Sequence, residues 1–131
     1  MSVPTRGFTA AAALVALTVF AHAQLSSNWQ ACTGNSGIDW DQQIKSCSAL
    51  IESGAEAKEN QGIAYYNRAL AYEYKEDFAR AIADFSEAIR LDPSNAEAFL
   101  YRGLDKGRMG DKTGEEADIA AAKRLNPNIG R

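Results

Sequence analysis

The sequence predicts an all-α protein, a stack of antiparallel helix pairs, on three observations. Leu91-Asp92-Pro93-Ser94-Asn95 returns as Leu125-Asn126-Pro127-Asn128-Ile129, one period of 34 residues later. Apolar residues recur at steps of three and four, the spacing that puts side chains on one face of a helix. Turn-forming residues (Gly54, Asp77, Pro93, Gly110) interrupt this pattern at intervals of helix length. With 131 residues the chain holds one domain, and its 46% hydrophobic and 24% charged residues suit a globular core.

The first element, residues 1–23, is read as a secretory signal peptide. Met1 to Gly7 carries Arg6 and no acid, Phe8 to Ala21 carries no charge, and Ala21-His22-Ala23 offers the small residues of a cleavage site. The other reading is a membrane anchor, but fourteen helical residues span about 21 Å, short of a hydrocarbon core of roughly 30 Å. Export to the periplasm or secreted space is therefore expected, with no membrane insertion after cleavage. Loss of Arg6 takes the basic count from 14 to 13 against 17 acids. Loss of His22, the single histidine, removes imidazole chemistry and His-ligated metal sites from the mature chain.

Residues 24–61 are read as a degenerate helical hairpin that caps the array. Ser27 to Thr33 supplies a short helical piece before Gly34. Asp39-Trp40-Asp41-Gln42 resembles a capping box, Ile44, Cys47, Leu50 and Ile51 follow at helical spacing, and Gly54 can end the helix. Cys32 and Cys47, the two cysteines, are expected to form a disulfide in an oxidising compartment. A metal site would need two further ligands that nothing nearby supplies, and the spacing is far from C-x-x-C.

In residues 62–95, Tyr65, Ala69 and Tyr72 share a face of a first helix running from Ile63 to Tyr74. Asp77 is the expected N-cap of a second helix. Its apolar stripe is Phe78, Ala81, Ile82, Phe85, Ala88, Ile89 and Leu91, and Pro93 ends it. Residues 96–129 repeat the plan. Asn95 caps a helix from Ala96 to about Met109, Gly110-Asp111 turns the chain, and Thr113-x-x-Glu116 has capping-box form, which starts the last helix after Thr113. The 34-residue offset pairs Tyr66 with Leu100, Arg68 with Arg102, Ala69 with Gly103, Asp84 with Asp118 and Ala88 with Ala122.

Gly62 to Asn95 resembles a tetratricopeptide repeat. The positions that carry the resemblance are Tyr65, Ala69, Tyr72, Ala81, Phe85, Ala88 and Asp92-Pro93. The second copy keeps Phe99, Gly103, Gly110-Asp111, Ile119, Ala122 and Pro127, but has Lys106 for the tyrosine and Glu115 for the first alanine. The resemblance implies a right-handed superhelix of helix pairs, with small residues where helices cross and larger ones filling the space around them. Glu116 and Lys123 replace Ile82 and Ile89, which reads as a final helix facing water, with random drift as the other explanation.

The resemblance further implies a concave face made by the first helix of each pair. Its positions here are Ile63, Tyr66, Asn67, Leu70, Glu73 and Tyr74, then Glu97, Leu100, Tyr101, Leu104 and Arg108. Tyr66, Tyr74 and Tyr101 are the expected anchors, although tyrosines there could equally be packing residues with wet hydroxyls. Arg68 and Arg102 fall at positions that point toward packing, so no clamp for a C-terminal carboxylate is expected. Glu73, Lys75, Glu76, Asp77 and Arg80 read as a solvated end with local helix pairs. Asp39/Asp41 and Glu115/Glu116 read as helix-start acids rather than Ca²⁺ ligands.

A protein or peptide partner is expected, with no cofactor, no catalysis and no nucleic acid: the mature chain lacks histidine, its two cysteines are expected to be paired, and there is neither a phosphate-binding glycine loop nor a basic stripe. The alternatives are an accessory subunit of an envelope assembly and, more remotely, a small secreted enzyme or ligand carrier.

Overall fold

The computed structural model describes residues 10–34, 37 and 39–130. Arg6 and the basic start of the expected signal lie outside the described residues. Six helices follow in order: α1 (Ala10–Cys32), α2 (Trp40–Ser53), α3 (Lys58–Tyr74), α4 (Phe78–Leu91), α5 (Ala96–Arg108) and α6 (Lys112–Leu125). Each packs on the next, and α3 on α4 and α5 on α6 are the most extensive pairings.

The helix starts are set by short acidic or amide side chains that accept a free backbone N–H of the first turn. Asp39 accepts from Gln42 N at 2.7 Å and Asp77 from Arg80 N at 3.2 Å. Asn95 accepts from Ala98 N at 2.9 Å and Asp111 from Gly114 N at 2.8 Å. The last of these corrects the expected start of α6. Asp111, one period after Asp77, is the N-cap, and Thr113 lies inside the first turn. Gly110, at φ 90°, reverses the chain early enough for the Asp111 carboxylate to reach the fresh helix end. The capping box at Asp39 is realised in one direction: the Gln42 side chain donates to Ser46 Oγ.

Two helices exceed their expected lengths. Helix α3 begins at Lys58, more than a turn before Ile63, and starts at Ala57 without a side-chain cap. Helix α1 runs unbroken from Ala10 through Ala23 to Cys32, where only a turn or two after Ser27 was expected. Nothing between Ala10 and Cys32 breaks a helix, and the segment is rich in alanine and leucine. Its side chains divide sharply. Residues 13–24 are all exposed, including Leu14, Leu17 and Phe20, whereas Leu25, Trp29 and Cys32 pack against α2 and α3. No described helix is long and apolar enough to cross a membrane.

The core has two parts. Cys32, Cys47, Leu50 and Ala64 are fully buried, with Leu25, Trp29 and Ile51 around them, and the Cys32–Cys47 disulfide lies inside this cluster. Trp29 Nε1 donates to Glu56 Oε1 at 2.8 Å and ties α1 to the α2–α3 loop. The second cluster is Ala69, Tyr72, Ala81, Phe85, Ala88 and Ala98, with Tyr65, Tyr66, Ile89 and Tyr101 packed on it.

Small residues stand at the crossings. Ala69, Ala88, Gly103 and Ala122 are buried, and a Cβ on Gly103 would come within 3.0 Å of Asp118 Cβ and 3.1 Å of the Glu115 carbonyl. The departures of the second pair are compensated. Glu115 stands where Ala81 does, and Gly107 opposite it stands where Glu73 does, so bulk has moved from one helix to the other. Lys106, in the tyrosine position, donates to Asp118 Oδ2 at 2.8 Å. On α6, Glu116 and Lys123 are exposed, whereas Ile82 and Ile89 on α4 are half-buried.

Candidate functional site

The 34-residue offset sets α3 beside α5, and a cleft of about 410 Å³ opens between their C-terminal halves. Leu70, Glu73 and Tyr74 line it from α3, and Tyr101 and Arg108 from α5. Glu76 and Phe78 close it from the α3–α4 turn. A second hollow of about 360 Å³ continues past Glu76 and Phe78 to Met109, which is well exposed.

Of the expected groove residues, Leu70, Glu73, Tyr74, Tyr101 and Arg108 meet in this cleft. Leu100 and Leu104 are half-buried away from it, Ile63 is exposed, and the Asn67 amide donates back to the Ile63 carbonyl at 2.9 Å. Glu76 and Phe78 were not anticipated as cleft residues. Phe78 belonged to the apolar stripe of α4, and Glu76 to an end read as solvated. The missed signal at Glu76 is the period itself, for the matching residue is Gly110.

Aromatic rings form the walls. Tyr66 meets Phe85 edge-on at 5.8 Å and Tyr101 at 6.4 Å between centroids, and Phe85 and Tyr101 stack at 6.0 Å. Tyr66 is thus largely a packing residue. Burial first, then the charges of Tyr101, Glu97 and Glu73, push its hydroxyl up to about 12, so it remains a hydrogen-bond donor in neutral solution. Tyr74 is 66% exposed, yet one face of its ring stacks on Trp40 at 4.2 Å with planes 4° apart. The stack joins the start of α2 to the end of α3 and stiffens the rim of the cleft.

Charge gathers at the other end. Arg108 Nη1 donates to Glu73 Oε1 at 2.7 Å and to Asp105 Oδ1 at 2.6 Å, while its guanidinium lies 5.2 Å from the Phe78 ring centre. Hydrogen bonds to Glu73 and then Asp105 raise the Arg108 pKa further. Asp105 is fully buried and its Oδ2 has no hydrogen-bond partner. Burial pushes its carboxyl up to about 6, against the pull of the Arg108 hydrogen bond.

The expected set of local pairs therefore needs correction. Asp77–Arg80 is local, but Glu73 reaches across to Arg108 and Lys75 reaches back to Asp41 at 2.6 Å, because the helix ends of successive hairpins lie side by side. Arg68 and Arg102 are fully engaged by Asp84 and Asp118, so neither faces a ligand.

Residues 62–95 match the family model described as the tetratricopeptide repeat. Residues 96–129 repeat its helix–turn–helix plan, so the chain has the fold of a short tetratricopeptide-repeat array. Among solved structures it is similar to the Arabidopsis OM64 TPR domain, with a TM-score of 0.70 and 24% identity over 83% of this chain and 87% of that one. No curated protein matches the chain in sequence. Tetratricopeptide repeats are generally non-catalytic scaffolds for protein–protein interaction. In this array the face between the first helices of the two pairs is an aromatic-walled cleft with carboxylates at one end.

Proposed function

We propose that the chain is an exported, non-catalytic interaction module that holds a segment of a partner polypeptide in the cleft between α3 and α5. The observation that carries this is the wall of Leu70, Tyr74, Phe78 and Tyr101, a half-exposed apolar surface already braced by Phe85 and Trp40. Braced aromatics lose little entropy when a partner covers them, which is why such residues anchor interfaces. Export is supported by the composition of residues 1–23 and by the division within α1. Residues 13–23 are exposed, and the turns after Gln24 carry Leu25, Trp29 and Cys32 into the core. Cleavage after Ala23 leaves the packed part intact, and the disulfide fits an oxidising compartment.

Site-specific photo-cross-linking in the exporting cell tests this reading. A photoreactive residue in place of Tyr74 should give a discrete protein adduct, whereas one in place of Ala120, exposed on α6, should give none. Equal labelling from both positions, or turnover of a substrate by the pure protein, would overturn it.

A further inference from the structure

Glu73 and Glu76 line this cleft beside Arg108, and a third carboxylate, Asp105, is buried against the same guanidinium, which serves two of the three. Glu73 and Asp105 share a single nitrogen of Arg108, and the second oxygen of buried Asp105 has no partner. Glu76 is exposed on the rim and, among the described residues, makes no ion pair. Lys75, the other cation on this edge, is held by Asp41 on α2. The cleft is short of positive charge.

Glu76 itself sits at φ 59°, the one positive φ on a non-glycine among the described residues. The second pair has Gly110 at the matching place, with φ 90°. A glutamate there costs backbone strain that glycine avoids, and Glu76, like Phe78, lines both hollows. The protein's own Arg108 shows what this chemistry accepts: a guanidinium over Phe78 with carboxylates at its edge.

The geometry points to a cationic partner: the cleft takes an arginine side chain, or less well a lysine, from an extended partner segment, with a neighbouring apolar side chain against Tyr74 and Tyr101. Glu76 is the charge that selects it. The planar guanidinium fits between aromatic walls and bonds carboxylates in pairs, which a point-charged ammonium does less well. Charge complementarity decides the class of occupant, since an acidic segment would bring its carboxylates against Glu73 and Glu76. This inference rests on the cleft being the partner site.

The test uses the full chain recovered after export and three end-blocked peptides, N-acetyl-Gly-Leu-Arg-Gly-amide and its citrulline and glutamate counterparts. Citrulline keeps the shape of arginine and removes its charge. Titration followed by amide NMR should move Glu76, Phe78, Arg108 and Met109 with the arginine peptide. The citrulline and glutamate peptides should bind about tenfold more weakly or worse, as expected for loss of a charge-assisted hydrogen bond. Glu76→Gln, at an exposed position, should bring arginine binding down to the citrulline level, and added salt should weaken it in the wild type. Equal affinity for arginine and citrulline, an unchanged Glu76→Gln, or shifts confined to α6 would overturn the proposal. If position 74 still cross-links a partner while arginine is not preferred, the polypeptide site stands and cation selection falls. If arginine is preferred but position 74 gives no adduct, the cleft's selectivity stands and the reading as a polypeptide site falls.

Discussion

Arg68 and Asp84 meet fork to fork, with Nε on Oδ2 at 2.7 Å and Nη2 on Oδ1 at 2.9 Å, and one period later Arg102 and Asp118 form the same paired bonds at 2.8 and 2.7 Å. Each pair joins the two helices of one repeat. Each arginine also reaches a serine on the helix before it, Ser48 on α2 or Ser86 on α4. One guanidinium therefore ties three helices, and the motif gives both repeats the same polar pin beside the small-residue crossing.

Cutting one half of a pin leaves a mostly buried charge without its partner, so Asp84→Asn should lower stability by about 2–4 kcal/mol. Replacing both ends with apolar residues, Arg68→Met with Asp84→Leu, should cost less than Asp84→Asn alone, because no charge is stranded. Urea unfolding of the three proteins checks the order. An equal loss in the single and double variants would mean the pin owes its effect to packing alone.

The second pin has a pH signature. Burial pushes the Asp118 carboxyl up, but hydrogen bonds from Arg102 and Lys106 outweigh it and hold the group below the usual carboxylate range. A carboxylate depressed in the folded state adds stability that is fully present above its unfolded value near 4 and is lost as pH falls from there through the lower folded value. Asp118→Asn should therefore destabilise strongly at pH 7 and much less at pH 3, read from thermal unfolding at both values.

Gly103 and Gly107 separate packing from propensity. A Cβ on Gly103 meets backbone and the Cβ of Asp118, neither of which can swing aside, so Gly103→Ala should cost about 1–3 kcal/mol. A Cβ on Gly107 meets the carboxyl end of Glu115, which can turn toward solvent and Lys112. Gly107→Ala should be neutral or stabilising by up to about 1 kcal/mol, since glycine disfavours a helix interior. The two melting temperatures should move in opposite directions or differ clearly.

These contacts show what could be read from residues and what could not. Spacing located five of the six helices, since apolar stripes and turn residues are local signals; α1 grew because nothing in its sequence stops a helix. The 34-residue period displayed Arg68, Arg102, Asp84 and Asp118 as matched positions. It could not display that they pair, because partners 16 residues apart on different helices leave no periodic trace. The cleft was half visible for the same reason. Leu70, Glu73, Tyr74, Tyr101 and Arg108 lie on the inward helices, whereas Glu76 and Phe78 enter from a turn whose path depends on a positive φ.

That positive φ makes its own prediction. Glu76→Gly removes left-handed strain at the α3–α4 turn and should raise stability by up to about 1 kcal/mol, after the entropy glycine adds to the unfolded chain. Glu76→Ala keeps the strain and removes the carboxylate, so it should not raise stability. Chemical denaturation of both variants checks this, and a destabilised Glu76→Gly would show that the side chain supports the turn.

The Cys32–Cys47 bond closes a loop whose ends lie 15 positions apart and pins α1 to α2 inside the first core cluster. Titration of the exported protein should find no free thiol. Reduction should remove about 3 kcal/mol by the chain-entropy relation, a fall in melting temperature on the order of 10 °C. Hydrogen exchange should then rise first in α1 and α2, while Ala69, Phe85 and Ala88 in the second cluster stay protected. Uniform loss of protection would mean the array has one cooperative core.

Asp105 gives the clearest pH dependence. Its counterpart one period earlier is Ala71, and both positions are fully buried. A carboxyl raised to about 6 in the folded state and near 4 unfolded favours folding least where it must ionise. The penalty is absent below about pH 4, grows through the window up to about 6, and is complete above it, reaching on the order of 1–3 kcal/mol. Asp105→Ala should thus gain stability relative to wild type as pH rises from 4 to 7.5. The comparison is made at two pH values because loss of the Arg108 hydrogen bond affects both, and only the ionisation penalty changes between them. A difference in melting temperature that is the same at both would show that Arg108 keeps the buried carboxylate ionised without cost.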